Sequence, residues 1–150
     1  MFKSYMNIAL EEAKTAAARG EIPVGAVIVS NTGELIALAS NRTRELNDPS
    51  AHAEMLAIRA ACARLRQERL AGYDLYVTLE PCAMCAGVIA AARVRRLYYG
   101  ASDPKSGGVE QGSRIFQNSQ SHHVPEIYAG IGERDARRLL QAFFAELRGE

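Results

Sequence analysis

Tyr73-Asp74-Leu75-Tyr76-Val77-Thr78-Leu79-Glu80-Pro81-Cys82-Ala83-Met84-Cys85-Ala86-Gly87 changes structural period within a few residues. Tyr73 to Leu79 is a short run of strand formers and predicts a strand. Pro81 suits a first helical turn, where its missing N–H costs nothing. The small residues after it predict a helix to about Arg93, and Val94 to Tyr99 predicts a further strand. A strand, a helix and a strand in direct succession form a parallel crossover unit, right-handed by rule.

Working upstream, Phe2 to Arg19 carries Tyr5, Ile8, Ala9 and Ala13 at helical spacing and is stopped by Gly20. Val24 to Ser30, the turn Asn31-Thr32-Gly33 and Leu35 to Ala39 read as a hairpin. A loop with Asn41, Asn47, Asp48 and Pro49 leads to Ser50, an expected N-cap. The next helix is expected over Ala51 to Arg69, ended by Gly72, with Met55, Leu56, Ile58, Ala61, Cys62 and Leu65 on its buried side. Downstream come a Gly-rich loop from Gly100 to Ser113, an unpatterned stretch to Pro125, and a short strand at Ile127 to Ala129. The last helix, Glu133 to Arg148, has Ala136, Leu139, Leu140, Phe143 and Leu147 at helical spacing. The sum is an α/β fold, a mixed sheet of about five strands with helices on both faces. Its site belongs at the C-terminal ends of the parallel strands.

The chain has 150 residues, 48% hydrophobic and 23% charged, with no repeat or linker, and reads as one domain over 1–150. That apolar share excludes a disordered chain, and its longest apolar runs are too short to span a membrane. Lys3, Glu11, Glu12 and Lys14 interrupt the opening segment, so no signal peptide is expected. The net charge of +1 leaves nucleic-acid binding to a local patch. Fifteen of the eighteen basic residues are Arg, which suits bidentate phosphate contacts. Three cysteines, Cys62, Cys82 and Cys85, argue against a disulfide framework and for a reducing cytoplasm.

Cys82 and Cys85, three apart at a helix start, face one side, and the helix dipole favours their thiolates. The pair fits either Zn²⁺ or a thioredoxin-like redox couple, and a third partner decides. His52, at the start of the preceding helix, would complete a set of one nitrogen and two sulfurs, leaving a fourth position for water. A closed structural site would need a fourth ligand. Cys62 lies ten residues along the same helix as His52, roughly 15 Å away, and is too far, whereas His122 and His123 remain open. Glu54, two residues past His52, is either a first-turn acid held by the helix dipole or the group that moves protons at an open metal.

His52-Ala53-Glu54 followed by Pro81-Cys82-Ala83-Met84-Cys85 matches the zinc deaminase signature. The chain resembles the bacterial tRNA-specific adenosine deaminases nearly end to end. The likeness runs through Ile22-Pro23-Val24-Gly25-Ala26-Val27, Asn41-Arg42, Asp48-Pro49-Ser50-Ala51-His52-Ala53-Glu54 and Thr78 to Gly87. It continues in Tyr99-Gly100-Ala101-Ser102-Asp103-Pro104-Lys105-Ser106-Gly107 and in Phe143-Phe144. The resemblance implies a three-layer α/β/α cytidine-deaminase-like fold and one Zn²⁺ per chain, on His52, Cys82 and Cys85. It implies attack of activated water on C6 of a flipped adenine, with Glu54 moving the protons and inosine remaining. It also implies a base-edge contact from Asn41, a purine wall from Ile22 and orientation by the backbone near Ala53. Asp103, Lys105, Phe144 and Arg148 would meet the tRNA anticodon arm, and members are homodimers.

The chain departs from the family pattern between Lys105 and Ser113, where it runs two residues longer and includes Val109, Glu110 and Gln111. From residues alone, Asn41 is equally a turn residue, Ile22 ordinary core, and Asp103-Pro104 a solvated turn. Arg93, Arg95 and Arg96 are the densest basic cluster and are expected on a solvated surface. The zinc motif would also serve a free-base or nucleoside deaminase acting on guanine, cytosine or cytidine. A third alternative is a zinc-stabilised binding protein without turnover.

Overall fold

The computed structural model describes the backbone of residues 2–149 and the side chains of residues 5–149. Its elements are helix α1 (Phe2–Ala18), strands β1 (Gly25–Ser30) and β2 (Leu35–Ser40), helix α2 (Ala53–Leu65) and strand β3 (Tyr73–Leu79). Then follow helix α3 (Ala83–Ala91), strand β4 (Arg96–Ala101), a 3₁₀ turn (Ile115–Gln117), strand β5 (Glu126–Tyr128) and helix α4 (Glu133–Leu147). The sheet order is β2-β1-β3-β4-β5. β1 runs antiparallel to both β2 and β3, while β3, β4 and β5 are parallel. The expected five-stranded mixed sheet is thus present.

Alternate strand residues divide between two cores, as the period of a pleated strand requires. Ala26, Ile28, Leu75, Val77, Leu97 and Tyr99 pack with Ala53, Ala57, Ile58 and Ala61 of α2 and Ala86 and Ile89 of α3. Val27, Val29, Tyr76 and Tyr98 pack with Met6, Ala9 and Leu10 of α1 and Ala136 of α4. Helices therefore cover both faces, a three-layer α/β/α arrangement. Gly25 permits the closest contact, since a Cβ there would lie 1.9 Å from the Ala9 carbonyl oxygen.

Several boundaries differ from expectation, each for a local reason. Ser50 does not cap α2: its N–H and hydroxyl both donate to Asp48 Oδ1, at 2.9 and 2.7 Å, closing a turn of their own. The N-cap is His52. α2 ends at Leu65 because Arg66 turns left-handed and Gln67 N–H bonds back to the Cys62 carbonyl. Arg66 to Arg69 thus lie outside the helix, and Gly72 is not its stop. Met55 and Leu56 are only half-buried, and Ala53 and Ala57 fill the core instead.

Pro81 lies outside α3, whose N-cap is Cys82. α3 ends as α2 does, with Arg93 at φ 62° and Val94 N–H bonded to the Ile89 carbonyl. Val94 is consequently buried as a helix-end contact and β4 starts two residues later. The strand expected at Ile127 to Ala129 forms at Glu126–Tyr128. Leu147 is exposed rather than core. Arg95 pairs with the buried Asp74 through two hydrogen bonds, and Arg96 pairs with Glu126. The basic cluster thus sits at the N-terminal ends of the strands, facing away from the expected site.

Candidate active site

The C-terminal ends of β3 and β4, the start of β1 and the end of β2 meet at one edge of the sheet, as their registers require. The N-termini of α2 and α3 open onto the same edge. Their N-caps are His52 and Cys82, and neither side chain makes a capping hydrogen bond. N-caps are normally Ser, Thr, Asp or Asn, whose oxygen satisfies the first-turn N–H groups. Here both caps give their side chains to each other instead. His52 Nδ1 lies 3.6 Å from Cys82 Sγ and 3.5 Å from Cys85 Sγ.

That triangle suits a metal ion. Ligands at ~2.3 Å (sulfur) and ~2.05 Å (nitrogen) on a tetrahedral centre stand roughly 3.6 Å apart. Among the described residues, the group of His, Cys, Asp and Glu ligand atoms lying within 4.8 Å of one another consists of His52, Cys82 and Cys85. The fourth ligands left open by sequence are elsewhere. His123 Nε2 bonds the Val94 carbonyl at 2.7 Å, His122 borders a hollow beside α3, and Cys62 packs against the core.

The three donors share protons unequally. A hydrogen bond from the Cys85 thiol, then the one to His52, draws Cys82 down to about 4. The same bond, with burial, pushes Cys85 up, and the contact with Cys82 raises His52.

Glu54 is 4% exposed on the first turn of α2. Burial pushes its carboxyl up to about 7, opposed by its own backbone N–H and by His52. A carboxyl that holds its proton near neutrality can both take and give one.

The triad opens into a cleft of about 400 Å³. His52, Cys82 and Glu54 line it together with Ile22, Asn41, Asp103, Lys105 and Phe144. Eight of the residues singled out by sequence therefore line one cavity. Val24, Leu79, Glu80, Ser106 and Leu140 complete it. Cys85 is buried, and Ala53 is buried at the start of α2. Arg148 caps the C-terminal end of α4 in an exposed position and does not line the cleft.

Asn41 is only 5% exposed, and its backbone is fixed on both sides. Its N–H donates to the Val24 carbonyl, and its own carbonyl accepts Arg19 Nη2 at 2.9 Å. Its side-chain amide, on the cleft wall, has no partner among the described hydrogen bonds. Phe144 is 40% exposed and meets Phe143 edge-on at 5.5 Å, so Phe143 packs inward and Phe144 faces the cleft.

Three supporting residues had no mark in the sequence. Arg19, at the end of α1, holds the Asn41 carbonyl and the Ser40 hydroxyl. Glu21 is buried and accepts the N–H groups of Arg44 and Glu45, tying down the loop after Asn41. Glu80 is buried beside Pro81-Cys82 and accepts N–H groups from the loop that carries Asp103. An acid beside a turn is too common in sequence to stand out, and its partners are distant in the chain.

A family model described as the cytidine and deoxycytidylate deaminase zinc-binding region matches residues 2–101. A tRNA-specific adenosine deaminase of Agrobacterium fabrum is 56% identical over 144 residues, covering 96% of this chain and 94% of its own. The chain belongs to the tRNA-specific adenosine deaminases. A solved structure from a study of A-to-I editing by tRNA:A34 deaminases at the wobble position superimposes with a TM-score of 0.89. It is 55% identical and covers 91% of this chain and 99% of its own. The fold is shared more widely. A guanine deaminase from Nitrosomonas europaea superimposes with a TM-score of 0.78 at 25% identity, over 95% of this chain and 84% of its own. Within the tRNA-specific adenosine deaminases, the cytidine-deaminase-like fold expected from sequence is therefore established for this chain.

Proposed function

We propose that the chain is a single zinc-dependent deaminase domain that converts adenosine to inosine at the wobble position of a tRNA anticodon. One observation carries the chemistry: three metal-type ligands converge beside a buried carboxyl that lines a cleft. His52, Cys82 and Cys85 would hold the zinc ion. Bound there, zinc supplies the Lewis acidity that activates a water molecule near neutral pH. Glu54 takes the proton that the attacking water sheds as its oxygen adds to C6. The same carboxyl hands that proton to N1, then takes the proton of the hydroxyl left on C6 and delivers it to the departing amine, so that adenosine and water leave as inosine and ammonia.

The cleft supplies recognition. Its volume of about 400 Å³ accommodates one extruded nucleoside. The Asn41 amide, without a partner among the described residues, bonds the base edge, Ile22 walls the purine, and the backbone at Ala53 helps orient it. Asp103, Lys105 and Phe144 lie at the rim, where flanking nucleotides of a splayed single-stranded loop would pass. Arg148, beyond the rim on α4, reaches phosphate. The protein acts in the cytoplasm, where its thiols stay reduced; among the described residues, no helix is long and apolar enough to cross a membrane. The chain pairs as a homodimer, for which α3 offers a Gly87 with nothing within 4 Å of its Cβ position and an exposed Met84.

Zinc-loaded protein is incubated with tRNA bearing adenosine at the wobble position, and the RNA is sequenced for inosine. Conversion of that adenosine, with no ammonia from free guanine or cytidine, is the expected result. Turnover of a free base with tRNA untouched would make the chain a free-base deaminase. Zinc without turnover of either would leave only a binding role.

A further inference from the structure

The loop between β4 and the 3₁₀ turn has no helix or strand, yet it is tightly held. Glu80 holds it. This side chain is 2% exposed and directly precedes Pro81-Cys82. Its Oε1 accepts the Asp103 N–H at 2.9 Å and the Ser102 hydroxyl at 3.3 Å. Its Oε2 accepts three consecutive N–H groups, from Val109 at 3.2 Å, Glu110 at 2.8 Å and Gln111 at 3.0 Å.

A buried carboxylate is costly unless its lone pairs are met, and here both oxygens are met by one loop. The loop in turn is pressed onto the metal-ligand turn. Gly108 N–H bonds the Pro81 carbonyl at 2.8 Å, and Gly107 bridges to Cys82. A Cβ on Gly107 would lie 2.7 Å from Glu80 Oε1, and one on Gly108 would lie 2.5 Å from Ala83 N. Gln111 Nε2 also donates to the Ser102 hydroxyl, closing the loop on itself around the carboxylate.

We propose that Glu80 is a positioning residue that gathers the Ser102–Gln111 loop around one carboxylate and so fixes Asp103 and Lys105 at the cleft rim, in register with Cys82. Val109, Glu110 and Gln111 are the residues whose N–H groups meet Oε2, so this part of the loop wraps the carboxylate. This role deepens the tRNA reading and rests on it for the substrate, while the clamp itself is a property of the free protein.

Glu80→Gln keeps the shape but replaces one acceptor oxygen with a donor that opposes either the Asp103 N–H or the N–H groups of Val109, Glu110 and Gln111. The KM for tRNA is expected to rise roughly tenfold or more, the size of one lost charge-assisted hydrogen bond, at little changed kcat. Zinc stays near one per chain. Hydrogen exchange of the free protein is expected to quicken at residues 102–111 while the β3 amides stay protected.

Ser102→Ala removes only the hydroxyl contacts, leaves Glu80 in place, and should move both readouts the same way by less. It serves alone if the Gln variant does not fold. Unchanged KM and unchanged loop exchange in whichever variants fold would overturn the proposal. So would exchange that quickens evenly across the chain with KM unaffected, the mark of a role in overall stability only. If wild-type protein makes no inosine, the tRNA reading fails, and loop exchange in the absence of RNA still decides the clamp.

Discussion

Glu54 and Glu80 are both buried acids beside the same cysteines, and their protons behave oppositely. Burial dominates at Glu54, where few donors reach the carboxylate, and pushes it up to about 7. Burial also pushes Glu80 up, but the N–H groups of Asp103, Gln111, Glu110 and Val109 together outweigh it and hold Glu80 below the usual carboxylate range. One acid is thus free to exchange a proton and the other is fixed as an acceptor. Glu54→Gln should abolish inosine formation while zinc stays near one per chain by elemental analysis; loss of zinc would make Glu54 a ligand instead. Asn41→Ala should lower kcat/KM for tRNA by roughly 10- to 100-fold, as expected for a lost base-edge hydrogen bond. Its melting temperature should hold, because the amide has no hydrogen-bond partner among the described residues; a large fall in stability with normal kinetics would return Asn41 to a turn residue.

At the scale of elements, helix starts do the work. α2 and α3 each begin with a metal-type ligand at the N-cap, and each ends in a left-handed residue followed by a back-bonded N–H. The strands, helices and ligand motif were legible because their signals are local: period, turn residues and the spacing of Cys82 and Cys85. Helix ends were less so. Arg66 and Arg93 adopt positive φ where a glycine would have been the usual sign, and Ser50 spends its hydroxyl on Asp48 rather than on α2. The clamps of Glu21 and Glu80 were invisible for another reason, since their partners lie more than twenty residues away. Close approach of elements is equally silent in sequence. Gly25→Ala would drive a methyl into the Ala9 carbonyl, and denaturant unfolding should show a loss of about 1–3 kcal/mol or more. A neutral effect would mean that α1 can slide off β1.

The whole molecule brings two helix starts, four strand ends and two clamped loops to one edge of the sheet. Charge is nearly balanced overall, at +1, so the proposed reading assigns attraction for RNA to a local patch at the cleft rather than to overall charge. Binding of the anticodon arm should weaken as salt rises, with a log–log slope of about −0.7 for each single-strand phosphate contacted. A flat salt response would argue for a free-base substrate. Zinc held by His52, Cys82 and Cys85 would tie α2 to α3, so chelation should lower the melting temperature by about 5–10 °C, the shift for a ligand held well above its Kd in a chain of this size.

The most direct test is the zinc-edge X-ray absorption spectrum of the metal-loaded protein. The account predicts two sulfurs at ~2.3 Å, one imidazole nitrogen and a single further light atom near 2.0 Å. A third sulfur, a second imidazole, or failure to take up zinc at one per chain would contradict it.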